Sequence, residues 1–216
     1  MQITIREPGS AITHFVAMMM ALLASVPLLV KAELASGRLC FFAMCIFMCS
    51  MVMLYGASAT YHSLTVSGKV LKVFRKLDHM MIFVLIAGSY TPICLIVLGG
   101  KSGYVLLAII WSIAIFGMTI KALWITCPKW FSSILYIAMG WVCVGVFGQL
   151  VSSLPVAAFI WLLAGGIIYT VGGVIYALKL PIFNSRHLGF GSHEIFHLFV
   201  MAGSICHFIF MYCYVA

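Results

Sequence analysis

Apolar residues in this chain come in long unbroken runs, and the polar residues cluster in short stretches between them. A bilayer core takes about 20 consecutive apolar residues as one helix. That length divides the sequence into seven helical spans, near 12–30, 39–62, 79–99, 103–125, 131–150, 155–178 and 193–215. The breaks fall at Lys31 to Arg38, Ser63 to Leu77, Gly99-Gly100-Lys101, Cys127-Pro128-Lys129, Ser152 to Pro155 and Pro181 to Ser192. Strands of a membrane barrel would alternate apolar and polar residues over about ten positions, and these runs do not alternate. The first run follows Arg6 as a signal peptide would. At about 19 residues it exceeds the usual 7–15 of such a segment, so a retained helix is expected.

Two features within the runs bear on packing. Gly165-Gly166 and Gly172-Gly173 repeat at seven residues in the sixth span and lay a smooth stripe along one face. Stripes of this kind let membrane helices approach closely. Tyr90-Thr91-Pro92 lies inside the third span, where proline removes a backbone donor and predicts a kink.

Composition strengthens the membrane reading. Of 216 residues, 65% are hydrophobic and 7% charged, with mean hydropathy +1.21, against about 25% charged in soluble domains. A soluble enzyme, a disordered chain and a nucleic-acid-binding protein are excluded, and the whole chain, 1–216, reads as one membrane domain. The net charge of +8 sets 12 Lys and Arg against four acids: Glu7, Glu33, Asp78 and Glu194. Sorted by loop parity, Arg6, Lys69, Lys72, Arg75, Lys76, Lys121, Lys129, Lys179 and Arg186 share the side of the N-terminus, and Lys31, Arg38 and Lys101 the other. Basic residues favour cytoplasmic loops, which predicts a cytoplasmic N-terminus and an outside C-terminus. Seven of the eight cysteines lie in apolar stretches, Cys127 falls in a loop, and no CxxC pair occurs. No disulfide framework is expected, and Cys45 and Cys49 read as core.

Ionisable groups in membrane helices are expensive and mark function by default. His193-Glu194-Ile195-Phe196-His197 opens the seventh span, and residues at i and i+4 share a helix face, so two imidazoles there can grip one metal ion. Glu194 completes a literal HExxH. It also fits the positive end of a helix, beside Ser192 as a candidate N-cap. By parity, His62 at the end of the second span and Asp78 at the start of the third reach the same membrane side. Three neutral imidazoles leave a tetrahedral zinc ion one open position, the catalytic arrangement. Asp78 is then placed to hold a water and shuttle its proton. Ser58, one turn from His62, either hydrogen-bonds that water or an oxyanion or bonds back to its own helix. His14 fits near the site. His79 is expected on another face from Asp78, His187 in a loop, and His207, about 15 Å deeper than His197, in packing.

The stretches SATYHSL, KLDHMMIFVLIAGSYTPICL and HEIFHLFVMAGSICHF, with EPGSAITH at the start, resemble the hemolysin III-type branch of the progestin and adipoQ receptor superfamily. The compact length is similar to that of bacterial members, which implies a multi-pass protein of the bacterial plasma membrane. The resemblance implies a cytoplasm-facing zinc ion on His62, His193 and His197, with Asp78 and Ser58 beside the zinc water. Alkaline ceramidases in the superfamily hydrolyse a lipid amide with this constellation, so the resemblance implies a zinc-dependent hydrolase acting on a membrane-lipid amide or ester, in membrane-lipid homeostasis. Two alternatives stay open: a receptor-like or homeostasis protein with structural zinc, and a cytolysin. The almost wholly apolar middles of the spans argue against a pore.

Overall fold

The computed structural model describes residues 5–178 and 190–216. Lys179, Arg186 and His187, and most of the break from Pro181 to Ser192, lie outside the described residues. Among the described residues every regular element is helical, and six stretches are long and apolar enough to cross a membrane. The first, Pro8–Ser63, has 56 residues and would measure about 84 Å if straight, well over twice a ~30 Å hydrocarbon core.

It is not straight. Helix α1, Pro8–Lys31, runs into a π-helical turn at Ala32–Ser36, and α2, Gly37–Ser63, returns alongside it. The reversal pivots on Gly37, whose φ of 78° suits a residue without a Cβ. The Glu7 N–H donates to the His62 carbonyl at 3.0 Å, which ties the start of α1 to the end of α2. The first two expected spans are therefore the two arms of one hairpin.

The third helix, α3, covers Gly68–Pro92 and begins well before the expected boundary near 79. Lys69, Lys72, Arg75 and Lys76 belong to a helical extension and not to a loop. Their three- and four-residue spacing puts them on one face of a helix, a signal that a ruler for apolar length passes over. After Pro92 the α-helical pattern gives way to a π-helical turn, Ile93–Leu98, so the expected distortion at this proline takes the form of a changed hydrogen-bond register. Gly99 and Gly100, with φ of 57° and 50°, turn the chain into α4, Gly100–Leu123.

The fifth expected span is broken in the middle. Helix α5, Lys129–Gly140, passes through a 3-10 turn at Val142–Val146 into the short α6, Phe147–Ser153. The Tyr90 hydroxyl donates to the Gly140 carbonyl at 2.6 Å and accepts from the Cys143 N–H at 3.0 Å. One side chain of α3 thus satisfies backbone groups at the break. Helices α7, Val156–Leu178, and α8, Ser192–Phe210, complete the fold, with a π-helical turn at Met211–Val215.

Helices α1, α2, α3, α5, α7 and α8 pack in sequence around a closed ring, and α4 lies outside it against α3. The glycine stripe serves the α7–α8 contact. A Cβ on Gly172 would lie 2.6 Å from the Phe199 Cβ, and one on Gly165 would lie 2.7 Å from the His207 Nε2. Three sequence readings change. Lys121, sorted with the loop charges, is buried in α4 against Cys127 and Ser132. Cys45 is half-buried and Cys49 exposed, so neither is a core residue. The helix start at α8 is capped from Gly191, with Ser192 already helical.

Candidate metal centre

Three imidazoles meet where the end of α2 faces the start of α8. His62 occupies the last turn of α2, and His193 and His197 occupy successive turns of α8 on one face. One ring nitrogen from each lies within 4.8 Å of the other two. The Nε2 atoms of His62 and His193 are 3.2 Å apart. His62 and His197 are buried and His193 half-buried. This group can hold a metal ion.

Neighbouring groups decide which nitrogen of two of the rings faces the centre. The Glu7 carboxylate bonds the His62 Nδ1, and a carboxylate can only accept there, so His62 turns the Nε2 lone pair inward. The Thr13 Oγ1 donates to the Gly9 or Ser10 carbonyl and stands 3.3 Å from the His197 Nδ1. With its own proton committed, Thr13 accepts from His197, whose Nε2 is left for the centre. His14 stacks on His197 with ring centroids 3.6 Å apart and planes within 7°. Partners of this kind fix ring orientation and raise ligand basicity in metal sites.

Glu194 has a different task from the one HExxH suggests. Its Oε2 accepts from the Gly191 N–H at 2.8 Å, and its Oε1 accepts from the Ser10 hydroxyl at 2.6 Å. Both oxygens are engaged in capping α8 and docking it on α1. Of the two readings of this residue, the helix-end one holds.

Asp78 is not in the converging group, but it lines the cavity beside it, as do Ser58, His193 and His197. Its Oδ2 lies 3.1 Å from the His79 Nδ1. Adjacent backbone positions point to different faces, as expected, yet the two side chains bend back to meet. The Ser58 hydroxyl is buried against the Asp78 carboxyl, with which it interacts, and it bonds no carbonyl of its own helix among the described residues. Thr60 and Ser63 nearby do bond to carbonyls four residues back. Ser58 does not, so its alternative reading as a back-bonded hydroxyl fails.

The cavity measures ≈ 170 Å³ and is walled by the ring of helices, with α4 taking no part. It passes from Asp78 and the histidines along apolar side chains to Tyr169 and His207. At its mouth a hollow of ≈ 300 Å³ is bordered by Glu7, Arg75, His79, Lys129 and Tyr176.

Sequence reasoning missed Glu7, Thr13 and His79 as neighbours of the site. For Glu7 and Thr13 a signal existed. Glu7, Ser10, Thr13 and His14 recur at helical spacing on an otherwise apolar span.

The fold and site together define a multi-helix membrane protein with a buried three-histidine group that can bind a metal. Residues 2–208 match the family described as Haemolysin-III related. The chain is 38% identical to "Hemolysin-3" of Bacillus cereus, over 97% of its own length and 91% of that protein's. It is 35% identical to "Hemolysin-3 homolog" of Bacillus subtilis (strain 168), over 97% and 96% of the two chains. The chain belongs to the haemolysin-III-related family, as the resemblance of its motifs implied.

Proposed function

We propose that the protein is a zinc-dependent intramembrane hydrolase of a lipid amide or ester, serving membrane-lipid homeostasis. In this reading it crosses the membrane seven times, with its N-terminus and metal centre toward the cytoplasm, as the basic-residue count favours. The observation that carries the proposal is the junction of a three-imidazole cluster with an apolar cavity inside the bundle. A lipid tail held in that cavity would present its head linkage at the cluster.

The residues fit zinc. Imidazole nitrogens 2.0–2.1 Å from a tetrahedral zinc ion stand about 3.3 Å apart, and the His62 and His193 Nε2 atoms are 3.2 Å apart. Donors that are all imidazole suit zinc among the common biological cations. His62, His193 and His197 would hold the ion, with Glu7 and Thr13 fixing two of the rings. When bound, zinc supplies a Lewis acid that polarises a carbonyl and brings the pKa of water to about 7.

The remaining chemistry belongs to the chain. Asp78 takes a proton from the attacking water and delivers it to the departing amine or alcohol. The products are a carboxylic acid and that amine or alcohol, so the atoms of lipid and water are all accounted for. The Ser58 hydroxyl, beside the Asp78 carboxyl, donates to the carbonyl oxygen as negative charge builds on it. The apolar walls exclude bulk water, which strengthens both interactions.

The test is Asp78→Asn in purified protein, with zinc measured by mass spectrometry and turnover on a panel of lipid amides and esters. The expected result is full zinc occupancy with turnover lost. Wild-type protein that holds one zinc per chain and turns over nothing on the panel would refute the hydrolase, leaving a metal that staples α2 to α8.

A further inference from the structure

The far end of the cavity is chemically uneven in a way that lipid hydrolysis does not require. Its polar groups can be accounted for one at a time, since a buried donor or acceptor without a partner is rare and expensive. The Ser89 hydroxyl bonds the Leu85 carbonyl at 2.8 Å. Tyr90 is bound at the α5–α6 break. The Trp141 indole donates to Thr170 at 2.9 Å, and Thr170 donates to the Gly166 carbonyl at 2.8 Å. Tyr169 shares a hydrogen bond of 2.8 Å with Ser204, which also accepts from Tyr55 at 2.6 Å.

His207 is the exception. It is 8% exposed, lines the cavity, and its Nδ1 has no hydrogen-bond partner among the described residues. The ring is also held with care. Tyr169 stacks on it at 5.3 Å and 20°, and Gly165 leaves the space that a Cβ would take from the Nε2. Among the described residues, the other cavity-lining histidines and hydroxyls with an unpartnered buried polar atom, His14, Ser133 and His193, belong to the mouth end.

We infer that His207 is a second polar station of the cavity, which recognises a hydroxyl group carried within the acyl chain of the bound lipid. A neutral imidazole nitrogen either donates or accepts, and a hydroxyl complements it in both cases. His207 lies ten residues beyond His197 on α8, roughly 15 Å along the helix and so about a dozen methylenes from a head group at the cluster. The ligand class is a long-chain lipid oxygenated near carbon 12. This inference rests on the preceding reading only in placing the lipid head at the histidine cluster.

The metal-loaded protein in detergent is titrated with stearate, 6-hydroxystearate and 12-hydroxystearate, each competing against tritiated stearate. Giving an unsatisfied buried nitrogen its partner should make 12-hydroxystearate bind about fivefold or more tighter than stearate. The 6-hydroxy isomer should gain nothing, because its hydroxyl is buried among apolar side chains. His207→Phe should erase the difference between stearate and 12-hydroxystearate with the metal content unchanged. Gly165→Ala, which displaces the same ring, should erase it independently. Equal binding of stearate and 12-hydroxystearate to the wild type, or a preference that survives in both variants, would overturn the inference. Stearate binding without that preference removes this inference alone, whereas no binding of any acid removes the lipid reading of the cavity as well.

Discussion

Replacing Glu7 by Gln tests whether the N-terminal segment is part of the candidate metal centre. The substitution keeps the size of the side chain and the backbone bond from residue 7 to the His62 carbonyl. It removes the carboxylate from the His62 Nδ1. Loss of such an outer partner lowers metal affinity by 10- to 100-fold in known sites. The Glu7 side chain is 43% exposed and shares its charge with Arg6 at 3.3 Å. Water and a competing cation screen it, so the lower end of the range applies. The expected loss is about tenfold in zinc affinity, or about 1.4 kcal/mol.

The assay is competition between the protein and a chromophoric chelator, in detergent, at fixed pH. Glu33→Gln is the control, since Glu33 is exposed in the turn between α1 and α2, at the far end of the hairpin. Glu7→Gln should weaken zinc about tenfold and Glu33→Gln should not change it. Equal affinities for wild type and Glu7→Gln would show that the carboxylate does not tune His62, and the reasoning from the Nδ1 contact would be wrong.

Other outcomes follow from the same contacts. Chelator should lower the melting temperature of the wild type, because a ligand that binds only the native state stabilises it by about 4 kcal/mol at a thousand times its Kd; His197→Ala should show no chelator effect, and an equal response in both would sink the ligand assignment. Ser58→Ala should lower kcat about 100-fold, as loss of one oxyanion donor does elsewhere, while zinc content and melting temperature hold, because the hydroxyl bonds no backbone group among the described residues. A normal kcat would dismiss Ser58 from the chemistry. Tyr90→Phe strips partners from the Gly140 carbonyl and the Cys143 N–H and should destabilise the protein by about 2 kcal/mol; reversible unfolding in mixed micelles measures it, and a change below about 0.5 kcal/mol would mean that the break is held by something else.

The sequence made the helical membrane class plain because the apolar runs leave no other economical fold. His62, His193 and His197 were legible for a related reason: an ionisable side chain at a membrane helix end is conspicuous, and i,i+4 spacing fixes a shared face without tertiary knowledge. What stayed hidden depended on contacts between helices. The α5–α6 break rests on a hydroxyl from α3. The burial of Lys121 rests on Cys127 and Ser132 in the turn and helix that follow. The early start of α3 was hidden differently, since a basic amphipathic turn looks like a loop when only apolar length is measured.

The amino-terminal helix shows how far the pattern itself could have been pressed. Residues 7, 10, 13 and 14 lie at helical spacing, and each reaches the region of the three-histidine group. Glu7 binds His62 of α2, Ser10 binds Glu194 of α8, Thr13 faces His197, and His14 stacks on it. One polar stripe therefore bridges the two helices that carry the imidazoles. The docking of α1 and the orientation of the histidine rings become a single event. This also changes the meaning of the scarce acids. Of four, only Glu33 stands apart from the site; Glu7 bonds His62, Glu194 anchors the helix that bears His193 and His197, and Asp78 stands beside them. In a chain with so little charge, three of the four carboxylates gather around one cluster of imidazoles, where each has a neighbour it can neutralise or bond.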